Sequence, residues 1–322
     1  MRVKTKVWIM FGVFFALLGL VLFSAGMSLN GWDFTKLTTE KYETNTYEIK
    51  ENFKDVSIHT DTADVSFVLT EEEVCKVVCH EPVKEKHAVA VQNETLSVTA
   101  TDTRKWFNKI TFVSFDSPCL KIYLPKTVYE KLVIELSTGD VQLPRDFSFQ
   151  DIEIGTSTGD IECAVSAENV VQFSATTGDI TLDGTKAGSI ELSVSTGRIK
   201  VRNVVCDGEM QIDVSTGKTE LTSVCCKEFT SVGTTGDISF VHTTVDDKLS
   251  VERSTGDVLF DQSDAGEISV ETSTGYVKGT LLSEKVFYAE SDTGNIDVPK
   301  SMTGGKCEIK TDTGNIEIEI AE

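Results

Sequence analysis

Histidine is scarce in this 322-residue chain, with only His59, His80, His87 and His242. No local acid–base–nucleophile arrangement forms around any of them. There is no Walker motif and no G-x-G-x-x-G run, so the usual phosphate and dinucleotide loops are absent. Lys and Arg form no patch beyond the extreme N-terminus, and the formal net charge is −21. Nucleic acid is therefore not an expected partner, because binding it needs clustered cations against phosphates. The acidic balance favours solubility and the attraction of cations or basic peptides. The Gly-rich nonapeptide of Ca²⁺-binding β-rolls is missing as well. Parallel β-helical polysaccharide lyases place their sites on long inserted loops, and the interval Gly139–Gly314 leaves almost no room for such loops. From these absences we expect no enzyme activity, no catalytic or cofactor-binding residues, no metal ligands and no cofactor.

What the chain has instead is a repeat. Ten Thr-Gly turns place glycines at 139, 159, 178, 197, 217, 236, 256, 275, 294 and 314, always 19 or 20 residues apart. So regular a period marks a repeat architecture. Seven residues before each glycine stand Leu132, Ile152, Val171, Ile190, Met210, Phe229, Leu249, Ile268, Phe287 and Cys307. Five before stand mostly aliphatics, with Ser231 and Ala289 as departures, and two after stand Val141, Ile161, Ile180, Ile199, Thr219, Ile238, Val258, Val277, Ile296 and Ile316. The positions between are mostly polar or charged. This period-two alternation predicts strands with one buried face on each side of the turn. Hairpins would pair neighbours antiparallel. A motif that recurs once per coil with all coils running the same way predicts parallel ladders instead. The expected fold is all-β, a single-chain parallel β-helix (solenoid) with coils of 19–20 residues. Its ten coils stack over roughly 48 Å.

Residues 58–67 (IHTDTADVSF) align with residues 309–318 (IKTDTGNIEI), with Ala63 in the glycine position. Between Ala63 and Gly139 no clean Thr-Gly turn occurs. Residues 70–124 read as strands and loops that cap the first coils, since a bare solenoid end invites aggregation. The other end shows no such cap. The chain stops eight residues after Gly314, which suggests self-association through a C-terminal solenoid edge.

Residues 7–29 carry no charge, and 23 residues in a helix reach ~35 Å, enough to cross a bilayer core of ~30 Å. Arg2, Lys4 and Lys6 precede this run and Asp33 follows it, so the positive-inside rule places the N-terminus in the cytoplasm and the bulk outside. A cleaved signal peptide is the rival, with a shorter apolar region and a better cleavage site than Ser24-Ala25-Gly26. An uncleaved single-pass anchor is favoured. Gly12, Ala16, Gly19 and Gly26 near one helix face also allow self-association through the helix. The domain plan is a cytoplasmic tail (1–6), a transmembrane helix (7–29) and a linker (30–46). An N-terminal β region with a degenerate coil and capping insertion (47–136) follows, then regular repeats (137–322).

Several features carry a bland and a sharp reading. Asp140, Asp160, Asp179, Asp237 and Asp257 follow their glycines and would stack, as Ca²⁺ ligands or as turn residues. Arg198, Lys218 and Tyr276 interrupt that column, which favours the turn role. The Ser/Thr ladders before the glycines serve turn hydrogen bonding rather than a flat ice- or sugar-binding lattice. Cys206 and Cys226, one coil apart, stack closely enough for a disulfide, and a small apolar column with Ala187, Val245 and Ala265 explains them equally well. Cys163 and Cys307 read as core residues. Cys75 and Cys79, with His80 and His87 nearby, share one strand face with Val77. Their spacing is not the usual zinc spacing, so packing is the expectation.

The turns STGD (137–140), STGD (157–160), TTGD (176–179), TTGD (234–237) and STGD (254–257), with the alternating strands and the basic-then-apolar start, resemble the bacterial putative-adhesin β-solenoid family, a domain of unknown function. The resemblance covers about residues 48–320. It implies a right-handed β-helix at the bacterial cell envelope and transfers no catalytic residues. The turns STGR (195–198), STGK (215–218) and STGY (273–276) depart from its motif. The expected function is a membrane-anchored extracytoplasmic scaffold, adhesin-like or surface-binding, with envelope proteins or glycans as partners. An envelope stress sensor or accessory protein working through a membrane partner is the alternative, and a carbohydrate-active enzyme a weaker one.

Overall fold

The computed structural model of the chain describes residues 2–29, 31–32, 41–102 and 117–321. Residues 33–40 of the expected linker and 103–116 of the expected capping insertion lie outside the described residues. One helix, α1 (Arg2–Leu29), opens the chain, and its segment Trp8–Leu29 is long and apolar enough to cross a membrane. The described residues after it are mostly β-structure, the greater part wound as a solenoid.

Parallel pairing with a coil-length offset builds the stack. Ile154 lies beside Ile134 on one side and Phe173 on the other, and the series continues through Leu192, Ile212 and Ser231. Side chains alternate across each strand, so the columns seven and five residues before each glycine, and two after it, face inward. Leu132, Ile152, Ile180, Ile199, Val258 and Val277 are all at most 1% exposed. Each such aliphatic contributes roughly 1.5–3 kcal/mol by leaving water. No single coil can bury its own face, so stability comes from the contact between neighbours.

The glycine at each corner is a steric requirement. At Gly217 φ is +146°, and a Cβ there would overlap the carbonyl oxygen of Gly197 in the preceding coil. Only glycine lets the backbone approach so closely. Gly139 lies in the same way against the Ala63 carbonyl, so the Ala63 coil stacks directly on the Gly139 coil. Ala63 belongs to the first coil, with no earlier corner for its own Cβ to strike.

The chain between Ala63 and Gly139 closes that end. Strands β1 (Tyr42–Ile49), β2 (Asp55–Thr62), β3 (Asp64–Thr70), β4 (Cys75–Pro82), β5 (Glu85–Gln92), β6 (Thr95–Asp102) and β7 (Cys119–Pro125) form it. The open edges of β2 and β3 are covered by β6 and β7, both parallel. Antiparallel partners then break the repeat. β4 lies between β1 and β7, and β5 pairs with β6 as a hairpin. Extended structure thus begins at Tyr42, inside the segment expected as linker, rather than at Tyr47. The polar sequence YETNTYEI concealed it, because pairing with β4 rather than burial holds this strand, and Ile49 alone in it is buried.

The C-terminal end differs from the expected order of coils. Val270 pairs with Ile309, not with Ala289, and Ala289 pairs with Ile309 from the far side. The last coil of the sequence, around Gly314, is inserted between the Gly275 and Gly294 coils. The Gly294 coil, strand Lys285–Thr293 with Ile296–Asp297, is therefore the terminal rung. The edge lies there and not at residues 316–322. Consequently Phe287 and Ala289 are only partly buried, and Ile296, expected inside, is 45% exposed.

Candidate functional site

The corners were the first place to look for chemistry, and backbone hydrogen bonds occupy them. Each corner glycine except Gly294 of the terminal coil donates its N–H to the threonine carbonyl of the next coil, from Gly139 to Thr158 at 2.9 Å through Gly314 to Thr293 at 3.0 Å. The carboxylates continue the ladder. Asp64 Oδ1 accepts from the Asp140 N–H, Asp140 from Asp160, Asp160 from Asp179 and Asp179 from Arg198, at 2.7–3.0 Å. Asp237 serves Asp257, Asp257 serves Tyr276, and Asn315 serves Asn295. One oxygen of each participating side chain is thus committed to the neighbouring backbone, the role that suits Asp and Asn beside a glycine. Arg198 and Lys218 interrupt the relay, and the Lys218 ammonium pairs instead with Asp237 Oδ2 at 3.0 Å.

Outside the corner runs an uninterrupted column of threonine. In stacking order it is Thr62, Thr138, Thr158, Thr177, Thr196, Thr216, Thr235, Thr255, Thr274, Thr313 and Thr293, paired rung by rung and exposed throughout. Beside it stand Ser137, Ser157, Thr176, Ser195, Ser215, Thr234, Ser254 and Ser273, also exposed. The next outward positions on the same strands add Glu135, Glu153, Glu191, Asp213, Glu252 and Glu271. Hydroxyls therefore repeat at ~4.8 Å along one face, with carboxylates on some rungs beside them. Where this face meets the cap an open groove of about 620 Å³ forms, its lining including Thr60, Asp61, Glu135, Ser137, Thr156 and Ser157.

Under that groove lies a buried polar cluster. His87 Nε2 is 2.8 Å from Thr60 Oγ1, and His87 Nδ1 is 2.6 Å from Glu81 Oε2. The His87 backbone N–H donates to the same oxygen at 2.7 Å, and Asn45 Nδ2 donates to Glu81 Oε1 at 2.8 Å. Glu81 is 0% and His87 4% exposed. The Cys79 sulfur, His87 and the Glu81 carboxylate offer donor atoms within 4.8 Å of one another. Burial, with the Glu81 charge adding to it, pushes the Cys79 thiol up to about 12.

The expected cap residues therefore separate. Cys75, Val77 and Cys79 share a buried face, as their spacing requires. His80 points the other way, stacked on Tyr42 and 3.0 Å from Thr44 Oγ1, whereas His87 joins Cys79. Glu81 was missed. Alternation from Cys79 places it inward, and a carboxylate on an inward position was the available signal. Cys163 and Cys307 are core residues. Cys206 pairs with Cys226 on adjacent strands, and both thiols are free.

The fold and the corner ladder together define a β-solenoid protein with a closed N-terminal end and an apolar leading helix. The chain belongs to the family described as Toastrack DUF4097, which it matches over residues 53–222 and again over 206–322. Among solved structures it is similar to a putative adhesin from Parabacteroides distasonis, at 9% identity and a TM-score of 0.47, over 88% of this chain and 98% of that one. A putative lipid binding protein from the same organism aligns at 12% identity and a TM-score of 0.44, over 86% and 97%. A putative adhesin from Parabacteroides merdae aligns at 13% identity and 0.31, over 88% and 98%. No curated protein matches the chain.

Proposed function

We propose that the protein is a non-catalytic scaffold, held by α1 in a membrane with its N-terminus in the cytoplasm, that presents the solenoid outside the cell and binds partners along one face. The observation that carries this reading is the continuous exposed array of threonine and serine columns beside the corners, with carboxylates on some rungs. Such an array has no single reaction centre. It offers repeated hydrogen-bonding positions at ~4.8 Å to an extended partner, and many weak contacts add by effective concentration. Its carboxylates favour uncharged or cationic partners, which suits envelope proteins and glycans. The uncharged apolar run of α1 after Arg2, Lys4 and Lys6 supports the anchor and its direction.

The test uses the full chain in nanodiscs, screened against immobilised glycans and matrix proteins, with detergent co-purification from the native membrane in parallel. Binding that weakens when Ser195, Ser215 and Thr234 are changed together to lysine supports the scaffold reading. Recovery of one specific membrane protein, with no glycan or matrix binding, selects the accessory-protein alternative instead.

A further inference from the structure

We propose that Cys79, Glu81 and His87 form a transition-metal site inside the cap, one that takes Zn²⁺ or a cation with the same ligand preference. Three different donors converge there, a sulfur, a nitrogen and a carboxylate oxygen, within 4.8 Å of one another and essentially out of contact with water. The other inward residues of β4 before them, Cys75 and Val77, are ordinary core groups. A carboxylate on such a face is costly unless donors or a cation compensate it.

The surroundings are arranged as the outer shell of a metal site is. Metal-binding imidazoles and carboxylates keep their remaining polar atoms tied to neighbours, which fixes their orientation. Here Thr60 holds His87 Nε2 at 2.8 Å, leaving Nδ1 turned toward Glu81. Asn45 holds Glu81 Oε1 at 2.8 Å, leaving Oε2 turned toward His87. Tetrahedral zinc sets such ligand atoms roughly 3.4 Å apart. The Nδ1–Oε2 pair at 2.6 Å would open by roughly 1 Å, and the metal would replace the proton held between them. With His87 Nε2–H donating to Thr60 Oγ1, loss of the Nδ1 proton and of the Cys79 thiol proton to solvent leaves a neutral imidazole, a thiolate and a carboxylate to bind together. The mixed sulfur, nitrogen and oxygen set suits zinc and disfavours calcium or magnesium, which take oxygen ligands.

The site joins strands that are otherwise held by short ladders. Cys79 and Glu81 come from β4, His87 from β5, and the supporting Asn45 and Thr60 from β1 and β2. A metal there joins β4 to β5 within the cap, the Thr60–His87 hydrogen bond links that pair to the first coil, and the binding free energy adds to the stability of that end. The site stands apart from the exposed binding face and does not depend on it.

The full chain, purified in detergent, reduced and stripped with chelator, is titrated with Co²⁺ as the spectroscopic probe. One equivalent is expected to give visible d–d bands and a near-ultraviolet thiolate charge-transfer band, both bleached by Zn²⁺. Cys79→Ser should lose the charge-transfer band. Thr60→Val, which leaves all three ligands in place, should weaken Co²⁺ binding by about 10–100-fold. Cys225→Ser, which changes an exposed cysteine, should leave the spectrum unchanged. Featureless Co²⁺ spectra with the unmodified chain would overturn the proposal without recourse to any variant. So would bands that survive Cys79→Ser or disappear with Cys225→Ser.

Discussion

The two ends of the solenoid solve the same problem differently. At the N-terminal end the open strands β2 and β3 are covered by β6 and β7, and the buried hydrogen bonds from Thr60 to His87 and from His87 to Glu81 tie on the antiparallel layer. At the C-terminal end the Gly294 coil stands bare. Phe287 and Ala289 are half-buried, while Tyr288 and Ile296 are 57% and 45% exposed. Its strand Lys285–Thr293 is paired on one side only among the described residues. Among the described residues the single-sided strands of the closed end are β1 and β5 of the cap, not rungs of the solenoid, whereas the bare end leaves a solenoid rung open to strand addition by a second copy. Offset from a glycine fixes which way a side chain points. Whether it is buried depends on a coil being stacked over it.

The two ends should differ most at their corners. Gly217→Ala should cost roughly 4 kcal/mol or more, because the added Cβ strikes a backbone oxygen at a φ of +146°. At the cap end Ala63→Gly should cost only about 1 kcal/mol, chiefly unfolded-state entropy. Thermal unfolding of the two variants beside the parent chain checks both. A similar drop for each would mean the corner contact is not what demands glycine.

Next in size is the core column two residues after each glycine. Ile180→Ala should cost roughly 2–5 kcal/mol, since Ile180 is 0% exposed between two coils. Ile296→Ala, at the same offset in the terminal coil, should fall within about 0.5 kcal/mol of the parent. Equal losses would show that something covers the terminal coil in solution.

The terminal strand gives the third contrast. If copies join there, sedimentation should show concentration-dependent association of the full chain in detergent. Tyr288→Asp together with Ile296→Lys should reduce it, and a charge placed on the cap strand β5 should not. A strict monomer at high concentration removes the edge as an interface.

The smallest effect is chemical labelling. Burial pushes the thiols of Cys75, Cys79, Cys163, Cys226 and Cys307 up to about 12. At pH 8 they remain protonated and out of reach, whereas Cys225 is exposed. Brief alkylation of the native chain followed by peptide mass spectrometry should find Cys225 modified well before those five. Early labelling of Cys79 would show that the cap opens.

Much of this was legible because the repeat is so regular. The glycine spacing, the period-two alternation and the apolar start predicted the parallel stack, the inward columns and the leading helix. The residues that stayed illegible depend on a neighbour distant in sequence. Ser231 looks like a defect in its column, yet it and the nearby Gly233 make room for Arg253 of the next coil. Its guanidinium donates to Ser231 Oγ at 2.8 Å and lies where a Gly233 side chain would be. Burial lowers that guanidinium to about 10. The cap cluster is similar. Asn45, Thr60, Glu81 and His87 come from four strands, and no local pattern links them.

The geometry of one coil is written locally in the chain. Its length, its corner glycines and the direction of each side chain follow from local sterics and from two-residue alternation. The order of the coils emerges from long-range packing alone. The Gly314 coil sits between those of Gly275 and Gly294, and the Ala63 coil lies directly on that of Gly139. Every coil carries much the same edge, so stacking partners are chosen by the fit of whole rungs and by how the chain returns between them. Those are long-range terms, and a repeated local motif does not encode them.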